Sequence, residues 1–297
     1  MNDGLIVALP AAEELAEALA GRLRCTANPV QVHRFPDGES GVRLPTAVDG
    51  KRVVFAAQLE RPDEKTLPLL FAADAARELG AAQRILVAPY LPYMRQDERF
   101  QPGDAISSRS YAGLLSGAFD ALLTVDPHLH RWPSLDAIYT LRSQVVAAAP
   151  AIAQWLLREV PRPILVGPDG ESAQWVAEVA GRIGAPHVVM TKERHGDREV
   201  RVKLPRGATA DGCTPVLLDD IVSTGRTLAA ASHVLRGAGW GQPLAVAVHC
   251  LAGHGDLEAL HRAGIARLVS CDTVPHPTNA IGVRGLLADA LVALLQA

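Results

Sequence analysis

The chain is predicted to fold as two similar α/β domains, each with a mostly parallel sheet and helices on both faces. Short apolar runs alternate with Ala- and Leu-rich amphipathic stretches along the whole sequence, which is typical of such sheets. Its 297 residues suffice for two domains of ordinary size. The pentapeptide P-D-G-E-S occurs after a predicted strand at 36–40 and again at 168–172, which hints at an internal duplication.

In the first half, apolar runs predict strands and amphipathic runs predict helices. The strands are expected at 5–9, 30–35, 42–44, 53–57, 85–90 and 121–125, and the helices at 11–23, 64–79, 108–116 and 143–158. Two prolines within 160–163 indicate a hinge. The predicted domains are 1–145 and 146–297.

The same alternation restarts in the second half. Strands are expected at 164–166, 187–190, 216–218, 244–250 and 268–271, and helices at 172–183, 226–236 and 257–262. A last helix at 286–295 could pack on either half.

Composition narrows the class of protein. With 48% hydrophobic and 21% charged residues, the chain is expected to be soluble and globular. A net charge of -3 gives no support for a general role on nucleic acid or membrane surfaces. No apolar run reaches the length of a membrane span and the first residues lack the basic start of a signal peptide, so we expect a cytoplasmic protein.

The four widely spaced cysteines are interpreted as reduced thiols, with zinc binding or disulfides less favoured: Cys25, Cys213, Cys250 and Cys271.

The most informative stretch is P-V-L-L-D-D-I-V-S-T-G-R-T-L at 215–228, which predicts a strand, a loop and a helix N-terminus. Such loops lie at the carboxyl edge of parallel strands, and helix N-termini bind anions such as phosphate. The carboxylates of Asp219 and Asp220 would repel phosphate, so their partners should be sugar hydroxyls or a divalent metal. One Asp could simply cap the helix. However, Ser223, Thr224 and Thr227 supply more hydroxyls than one cap needs, which favours a phosphorylated sugar.

A second motif, F-P-D-G-E at 35–39, follows a strand and indicates a tight turn. Phe35 could stack on a base, and Asp37 and Glu39 could accept hydrogen bonds from an amine or a ribose. The plainer alternative is a hairpin turn with a core phenylalanine.

A third motif, R-Q-D at 95–97, lies past a predicted strand end, where α/β folds bind ligands. Arg95 can contact two phosphate oxygens at once, and Gln96 and Asp97 can read a base or a ribose. A solvated loop is the alternative.

A fourth and a fifth motif suggest a metal site. His128 lies in T-V-D-P-H, just past a buried strand, and Asp169 lies in a turn after another strand. One histidine with one carboxylate and phosphates suits Mg²⁺, which prefers oxygen ligands and keeps several waters. A lone D-x-H is more often structural.

A sixth motif, T-K-E-R-H-G-D-R at 191–198, places Lys192 and Arg194 on either side of a glutamate at a strand end. Two cations on a polar arm suit charge stabilisation during phosphoryl transfer. A solvated charge cluster is the alternative.

Taken in order, these motifs resemble those of the ribose-phosphate pyrophosphokinase family over nearly the whole chain, whereas phosphoribosyltransferases share only the motif at 215–228. The resemblance implies two phosphoribosyltransferase-like domains and transfer of a diphosphoryl group from ATP to ribose 5-phosphate, giving PRPP and AMP. It implies an ATP site formed by Phe35, Asp37, Glu39, Arg95, Gln96 and Asp97, and a Mg²⁺ site formed by His128 and Asp169. It further implies catalytic roles for Lys192 and Arg194, and ribose 5-phosphate binding by Asp219, Asp220, Ser223, Thr224, Gly225, Arg226 and Thr227.

The chain departs from the family pattern at several positions. Ser223 stands where the family usually has Asp, and Arg226 where it has a small residue. The turn after the second P-D reads G-E-S, and His128 is followed by L-H-R-W in place of A-x-Q. Glu98 replaces the basic residue that often follows R-Q-D. An active but divergent enzyme is expected.

Two other functions stay open. A PRPP-dependent phosphoribosyltransferase would need only the Asp219 loop, and a catalytically silent regulatory subunit would keep the fold. We also expect a homodimer or a higher homo-oligomer in which each ATP site is shared between subunits. A neighbour related by a two-fold axis could offer its Phe35 turn and receive the same in return.

Overall fold

The structure is a computed structural model that describes residues 4–44, 47–195 and 199–296, with the backbone alone described at 192–195 and 199–201. The chain divides into two compact units. The first holds residues 1–146, 273–275 and 284–297, and the second holds 147–272 and 276–283. The domain boundary between residues 145 and 146 stays a prediction.

The described part of the first unit contains a six-stranded sheet in the order β2-β1-β5-β6-β7-β8, with every neighbouring pair parallel. An antiparallel hairpin, β3–β4, lies outside this sheet. The strands are β1 (Gly4–Ala8), β2 (Ala27–Pro29), β3 (Gln31–Arg34), β4 (Ser40–Arg43), β5 (Arg52–Ala56), β6 (Gln83–Val87), β7 (Ala121–Val125) and β8 (Arg142–Val146). The helices are α1 (Glu13–Leu23), α2 (Pro62–Glu78), α3 (Ser107–Ala118) and α8 (Arg284–Gln296), the last of which packs on α1, β7 and β8.

The second unit repeats this plan with a parallel sheet in the order β10-β9-β13-β14-β15-β16 and a second antiparallel hairpin, β11–β12. Its strands are β9 (Pro163–Gly167), β10 (His187–Val189), β11 (Thr191–His195), β12 (Glu199–Lys203), β13 (Thr214–Val222), β14 (Leu244–Cys250), β15 (Arg267–Cys271) and β16 (Asn279–Ile281). Its helices are α4 (Ala149–Glu159), α5 (Ala173–Ile183), α6 (Arg226–Gly237) and α7 (His254–Arg262).

The apolar strands are buried on both faces. Leu5 and Val7 of β1 pack in one core cluster with Leu69 of α2 and Leu115 of α3. Ile6, which points to the opposite face, is equally buried at 0% exposure. A strand that is covered on both sides needs apolar residues at every position, which explains the continuous runs read from the sequence. The predicted fold class is confirmed.

Two predicted elements were wrong in detail, and one strand was missed. Residues 143–146, predicted as the start of a long helix, belong to edge strand β8, and α4 begins at Ala149. The helix cannot start earlier because residues 142–146 pair with β7, whereas Pro150 suits the first helical turn. The motif at 191–198 was read as a strand end with a polar arm, whereas its described residues 191–195 form β11, which pairs antiparallel with β12 at 199–203. The sequence also missed β16, a three-residue strand with too short a pattern to detect.

The repeated pentapeptide does not mark the duplication. Its first copy, at 36–40, spans the turn of hairpin β3–β4 and the first residue of β4, whereas its second copy, at 168–172, follows β9. The position equivalent to the second copy in the first unit is the β1–α1 connection. The repetition is instead visible in the order of elements, because both units run strand, helix, strand, hairpin, strand, helix.

No disulfide joins the four cysteines, all of which lie in the described part of the chain. In the portion of the chain that the structure describes, no helix combines the length and apolar composition required to cross a bilayer.

Candidate active site

The acidic pair of the second unit lies inside a strand and not in the loop after it, because β13 is longer than predicted. Pairing of β13 with β9 ends at Leu217, whereas pairing with β14 continues to Val222. Asp219 and Asp220 therefore lie on a part of β13 that extends past its neighbour β9. This is the carboxyl edge at the point where the strand order reverses, which is the usual ligand position in an open α/β sheet.

Asp219 is in a strained electrostatic environment. Burial raises the pKa of its carboxyl well above the usual range, and the nearby carboxylates of Asp220 and Asp169 raise it further. Its Oδ1 accepts a hydrogen bond from the Asp220 backbone N–H at 3.1 Å. Three carboxylates that disfavour one another's charge are suited to a ligand that supplies hydroxyl donors or positive charge.

The loop after β13 leads into a helix N-terminus that requires glycine. Gly225 has φ 68°, and a Cβ there would lie 2.6 Å from Leu260 Cδ2. Gly225 is the N-cap of α6, and no side chain caps this end among the described residues. The first N–H groups of a helix lack intrahelical partners and favour an anion. Ser223 and Thr227 are partly buried beside this end, so the local geometry suits a phosphate.

Asp169 lies two residues past β9 and is 8% exposed. Its Oδ1 accepts hydrogen bonds from the backbone N–H groups of Glu171 at 3.1 Å and Ser172 at 3.4 Å. The G-E-S departure at 170–172 thus forms a short 3-10 turn that is capped by Asp169. These bonds fix the carboxylate at the same sheet edge as Asp219 and Asp220.

In the first unit, the predicted base-stacking residue is exposed. The turn of hairpin β3–β4 is closed by Phe35 N–H donating to Glu39 O at 2.8 Å and by Asp37 Oδ1 accepting from Glu39 N–H at 3.1 Å. Phe35 is 46% exposed and meets His33 edge-on at 4.6 Å. The alternative of a core phenylalanine is therefore wrong, since the ring lies at the tip of the hairpin.

Arg131 connects the loops that follow β6 and β7. Its guanidinium contacts Asp97 Oδ1 at 3.0 Å and Glu98 Oε1 at 2.7 Å, and it lies 5.6 Å from the centroid of the Phe100 ring. The side chain of Asp97 is 0% exposed, and its Oδ2 finds no partner among the described residues. Arg131 thus holds Asp97 in place. Arg95, two residues earlier in the same loop, is exposed to solvent.

These contacts explain two departures from the family pattern together. Glu98 stands where a basic residue is common, and Arg131 belongs to the unusual L-H-R-W segment. The carboxylate that stands at position 98 in place of a basic residue forms an ion pair with the guanidinium of Arg131. Sequence reasoning flagged both departures separately and missed their pairing. The signal was available, because one departure removes a positive charge and the other contains an arginine.

His128 and His130 lie after β7, with ring centroids 4.1 Å apart in an edge-on arrangement. Two residues near these loops hold left-handed backbone conformations without being glycine: Asp126 with φ 31° and Tyr93 with φ 63°. Such strain is concentrated at functional sites. His128 and Asp169 belong to different compact units, and their pairing as metal ligands stays a prediction.

Lys192 and Arg194 occupy alternate positions of β11, opposite Val202 and Val200 of β12. Alternate residues of a strand share a face, in agreement with the spacing read from the sequence. Their side chains lie outside the described part of the structure, so their predicted catalytic role stays a prediction.

Fold and site define a class: a chain of two phosphoribosyltransferase-type units with an acidic, phosphate-suited sheet edge in the second. A family model for the N-terminal domain of ribose phosphate pyrophosphokinase matches residues 5–118, and one for the phosphoribosyl transferase domain matches residues 136–285. The chain belongs to the ribose-phosphate pyrophosphokinase family, as predicted.

Individual relatives agree with this assignment. A ribose-phosphate pyrophosphokinase from Methanopyrus kandleri is 33% identical over 97% of this chain and 98% of its own. One from Halobacterium salinarum is 34% identical over 94% and 97%. The crystal structure of phosphoribosylpyrophosphate synthetase from Mycobacterium smegmatis has a TM-score of 0.87 with 99% of both chains covered, and at 23% identity it supports the fold.

Proposed function

We propose that the protein transfers the diphosphoryl group of ATP to the anomeric hydroxyl of ribose 5-phosphate, giving PRPP and AMP. Family membership over nearly the whole chain supports this reaction. The observation that carries it is the sheet edge at β13, where Asp219 and Asp220 precede the helix end at Gly225, which has no side-chain cap among the described residues. Carboxylates for sugar hydroxyls followed by N–H groups for a phosphate match ribose 5-phosphate and no neutral sugar.

In the sugar site, Asp219 and Asp220 would accept hydrogen bonds from the ribose hydroxyls. The backbone N–H groups and side chains of Ser223, Thr224, Gly225, Arg226 and Thr227 would bind the 5-phosphate. Arg226 stands where the family has a small residue. It adds a positive charge at the first residue of α6. Its position suits an anion, so this departure is compatible with activity.

In the nucleotide site, Phe35 would stack on the adenine, Asp37 and Glu39 would accept hydrogen bonds, and Arg95 and Gln96 would bind phosphates and base. Asp97 would also belong to this site, and because its carboxylate is buried against Arg131, we propose that it holds the loop in place there.

For the chemical step, the anomeric hydroxyl attacks the β-phosphorus of ATP and AMP leaves. Negative charge develops on the transferring group, and Lys192 and Arg194 would stabilise it. Asp219 or Asp220 would accept a hydrogen bond from a hydroxyl of the bound ribose. This hydrogen bond would orient the sugar so that its anomeric hydroxyl can attack.

Enzymes of this family are generally dependent on Mg²⁺, and the residues present fit such an ion. Asp169, Asp219 and Asp220 form an all-oxygen cluster, the donor type that Mg²⁺ prefers, and their mutual repulsion favours a cation. We propose that Asp169 holds Mg²⁺ with His128. The ion would supply charge neutralisation on the phosphates of ATP.

The deciding experiment incubates the pure protein with ATP, Mg²⁺ and ribose 5-phosphate and measures AMP. AMP and PRPP formed together in equal amounts are the expected result. Pyrophosphate released from PRPP and a base, without AMP formation from ATP, would identify a phosphoribosyltransferase. If neither reaction occurs, the silent regulatory subunit is the hypothesis that remains. We further propose a cytoplasmic homo-oligomer that shares each ATP site between subunits.

A further inference from the structure

The segment that carries Arg95 begins with an unusual backbone conformation. Tyr93 has φ 63°, in the left-handed region that glycine enters at no steric cost and that a bulky residue rarely adopts. This residue starts a turn that is closed by Gln96 N–H, which donates to the Tyr93 carbonyl at 3.1 Å. Arg95 lies inside the turn. Because a tyrosine is harder to hold in this conformation than a glycine, its side chain is expected to make the contacts that hold it.

The side chain of Tyr93 lies between two helices. Its hydroxyl donates a hydrogen bond to Asp63 Oδ1, thirty residues earlier, in the first turn of α2. Its ring centroid lies 4.8 Å from that of Tyr111 on α3, a residue that is 3% exposed. The Tyr111 hydroxyl lies 3.3 Å from Thr66 Oγ1 of α2, so the two helices contact each other here. Tyr93 therefore connects the start of the loop to both α2 and α3.

The surroundings favour the hydrogen bond between Tyr93 and Asp63. The first turn of a helix favours a carboxylate such as Asp63, because the helix dipole is positive at that end. The hydrogen bond to Asp63, together with partial burial and the nearby negative charge, raises the pKa of Tyr93 to about 12. The hydroxyl therefore keeps the proton that it donates at any pH near neutrality.

The other end of the loop is fixed by different contacts. The carboxylate of Asp97 is buried against Arg131. Met94, next to Tyr93, is 1% exposed and packs in the core cluster of the first unit. Arg95 is exposed between these anchored residues. A side chain that extends from a fixed backbone loses less freedom when it binds a ligand, so the anchoring favours binding by Arg95.

We propose that Tyr93 is a positioning residue for ATP: its hydrogen bond to Asp63 holds the left-handed turn that presents Arg95 to the phosphates. This inference rests on the proposed ATP site and adds to it two residues that act through Arg95. A guanidinium contacts two phosphate oxygens at once only when its plane is correctly oriented. A relaxed turn would keep the charge and lose this orientation.

Isothermal titration calorimetry of the full-length protein with ATP and Mg²⁺ tests the proposal. Tyr93→Phe keeps the ring, removes the hydroxyl and should weaken ATP roughly two- to tenfold, the range expected for one hydrogen bond. Asp63→Ala removes the other partner and should have a similar effect, and the double variant should bind no more weakly than either single one. The matched control is Glu64→Ala, which removes the neighbouring carboxylate of the same helical turn and should bind ATP like the wild type.

A second pair of variants shows whether Tyr93 acts through Arg95. Arg95→Ala should weaken ATP more than Tyr93→Phe does, because it removes the phosphate contact itself. In the Arg95→Ala background, Tyr93→Phe should have little further effect, a result that a general loss of stability would not produce. In steady-state kinetics, Tyr93→Phe should raise KM for ATP with little change in kcat or in KM for ribose 5-phosphate.

The ATP site and the role of Tyr93 fail in different ways. If Arg95→Ala binds ATP like the wild type, the proposed ATP site is wrong and the role of Tyr93 falls with it. The role of Tyr93 alone is overturned if Arg95→Ala weakens ATP and Tyr93→Phe does not, or if the two effects simply add. It is also overturned if Glu64→Ala weakens ATP as much as Asp63→Ala does. The same holds if Tyr93→Gly, which allows the left-handed backbone without the side chain, binds ATP as well as the wild type.

Discussion

In both units a crevice opens at the carboxyl ends of two neighbouring strands, β1 and β5 in one and β9 and β13 in the other. The second unit places Asp169, Asp219 and Asp220 there and follows them with a glycine-capped helix. The first unit places a buried glutamine there and follows it with a helix that begins in proline and carboxylates. The same topology therefore carries different side chains in the two units, an acidic cluster before a glycine-capped helix in one and a buried glutamine before a proline-led helix in the other.

Hairpins β3–β4 and β11–β12 also occupy equivalent positions and carry different side chains. Both follow the edge strand of their unit and lead into the central one. Hairpin β3–β4 presents an exposed phenylalanine and carboxylates, which suit binding of a base, whereas β11 carries Lys192 and Arg194, which suit stabilisation of a transferring phosphoryl group. The two units therefore share one order of elements, and a few side chains at equivalent positions determine what each unit is suited to bind.

The largest effect on activity is expected from a substitution in hairpin β11–β12. Lys192→Ala should lower kcat about 100- to 1,000-fold with little change in KM, because we propose that Lys192 stabilises charge that develops only in the transition state. Steady-state kinetics measures both constants. Lys203→Ala, in the same hairpin, is the matched control and should stay near wild type. A rise in KM alone for Lys192→Ala would remove its catalytic role.

The first hairpin should respond differently. Phe35→Ala should remove a stacking contact of about 1 to 3 kcal/mol and weaken ATP roughly 5- to 150-fold, with less effect on kcat. Phe35→Tyr retains an aromatic face and should remain near wild type. If Phe35→Ala lowered only kcat, the contrast between the hairpins would fail.

At the acidic edge, Asp219→Asn should weaken ribose 5-phosphate roughly tenfold to hundredfold without weakening ATP, because hydrogen bonds to a charged group contribute about 1.5 to 3 kcal/mol. The same change should raise the melting temperature of the ligand-free protein at pH 7. Asparagine keeps the Oδ1 that accepts from Asp220 N–H and removes a charge that burial disfavours.

The pH dependence of this gain follows from the raised pKa. An unfolded Asp titrates near about 3.9, and the folded Asp219 titrates higher, so its ionisation costs stability as pH rises between the two values. The advantage of Asp219→Asn should therefore be full above the folded pKa and vanish below about pH 4. Calorimetry across this range checks it. A lower melting temperature for the variant at pH 7 would contradict the electrostatic account.

Subunit mixing tests whether the first hairpin acts on a neighbouring chain. Phe35→Ala with Asp37→Ala in one chain and Lys192→Ala in the other should each be nearly inactive alone. After random reassociation into dimers, about a quarter of the wild-type activity should return, because half the dimers are mixed and each has one intact site. Full activity from a monomer in light scattering would refute shared sites.

A smaller effect is expected at the Arg131 contacts. Arg131→Ala leaves the buried Asp97 without its partner, and we expect KM for ATP to rise by up to about tenfold with kcat less affected. The effect is reduced because Arg131 is itself 42% exposed. Adding Asp97→Asn should recover part of the loss. No recovery would mean that Arg131 contacts the nucleotide directly.

The sequence by itself determined the fold class and the family. Runs of four or five apolar residues are stable only when both faces of a strand are covered, so the two parallel sheets could be read directly. Local chemistry also sufficed at 215–228, because two carboxylates, hydroxyls and a glycine describe a ligand loop before any contact is known.

Only the tertiary structure decided three other features. The pairing of Arg131 with Asp97 and Glu98 joins residues more than thirty positions apart, which no local pattern reports. Gln58 looks ordinary in sequence, and only its burial without a partner among the described residues distinguishes it. The extension of β13 past β9 depends on where each neighbour stops pairing. Burial and pairing are properties of packed chains, and a sequence specifies them only through the whole fold.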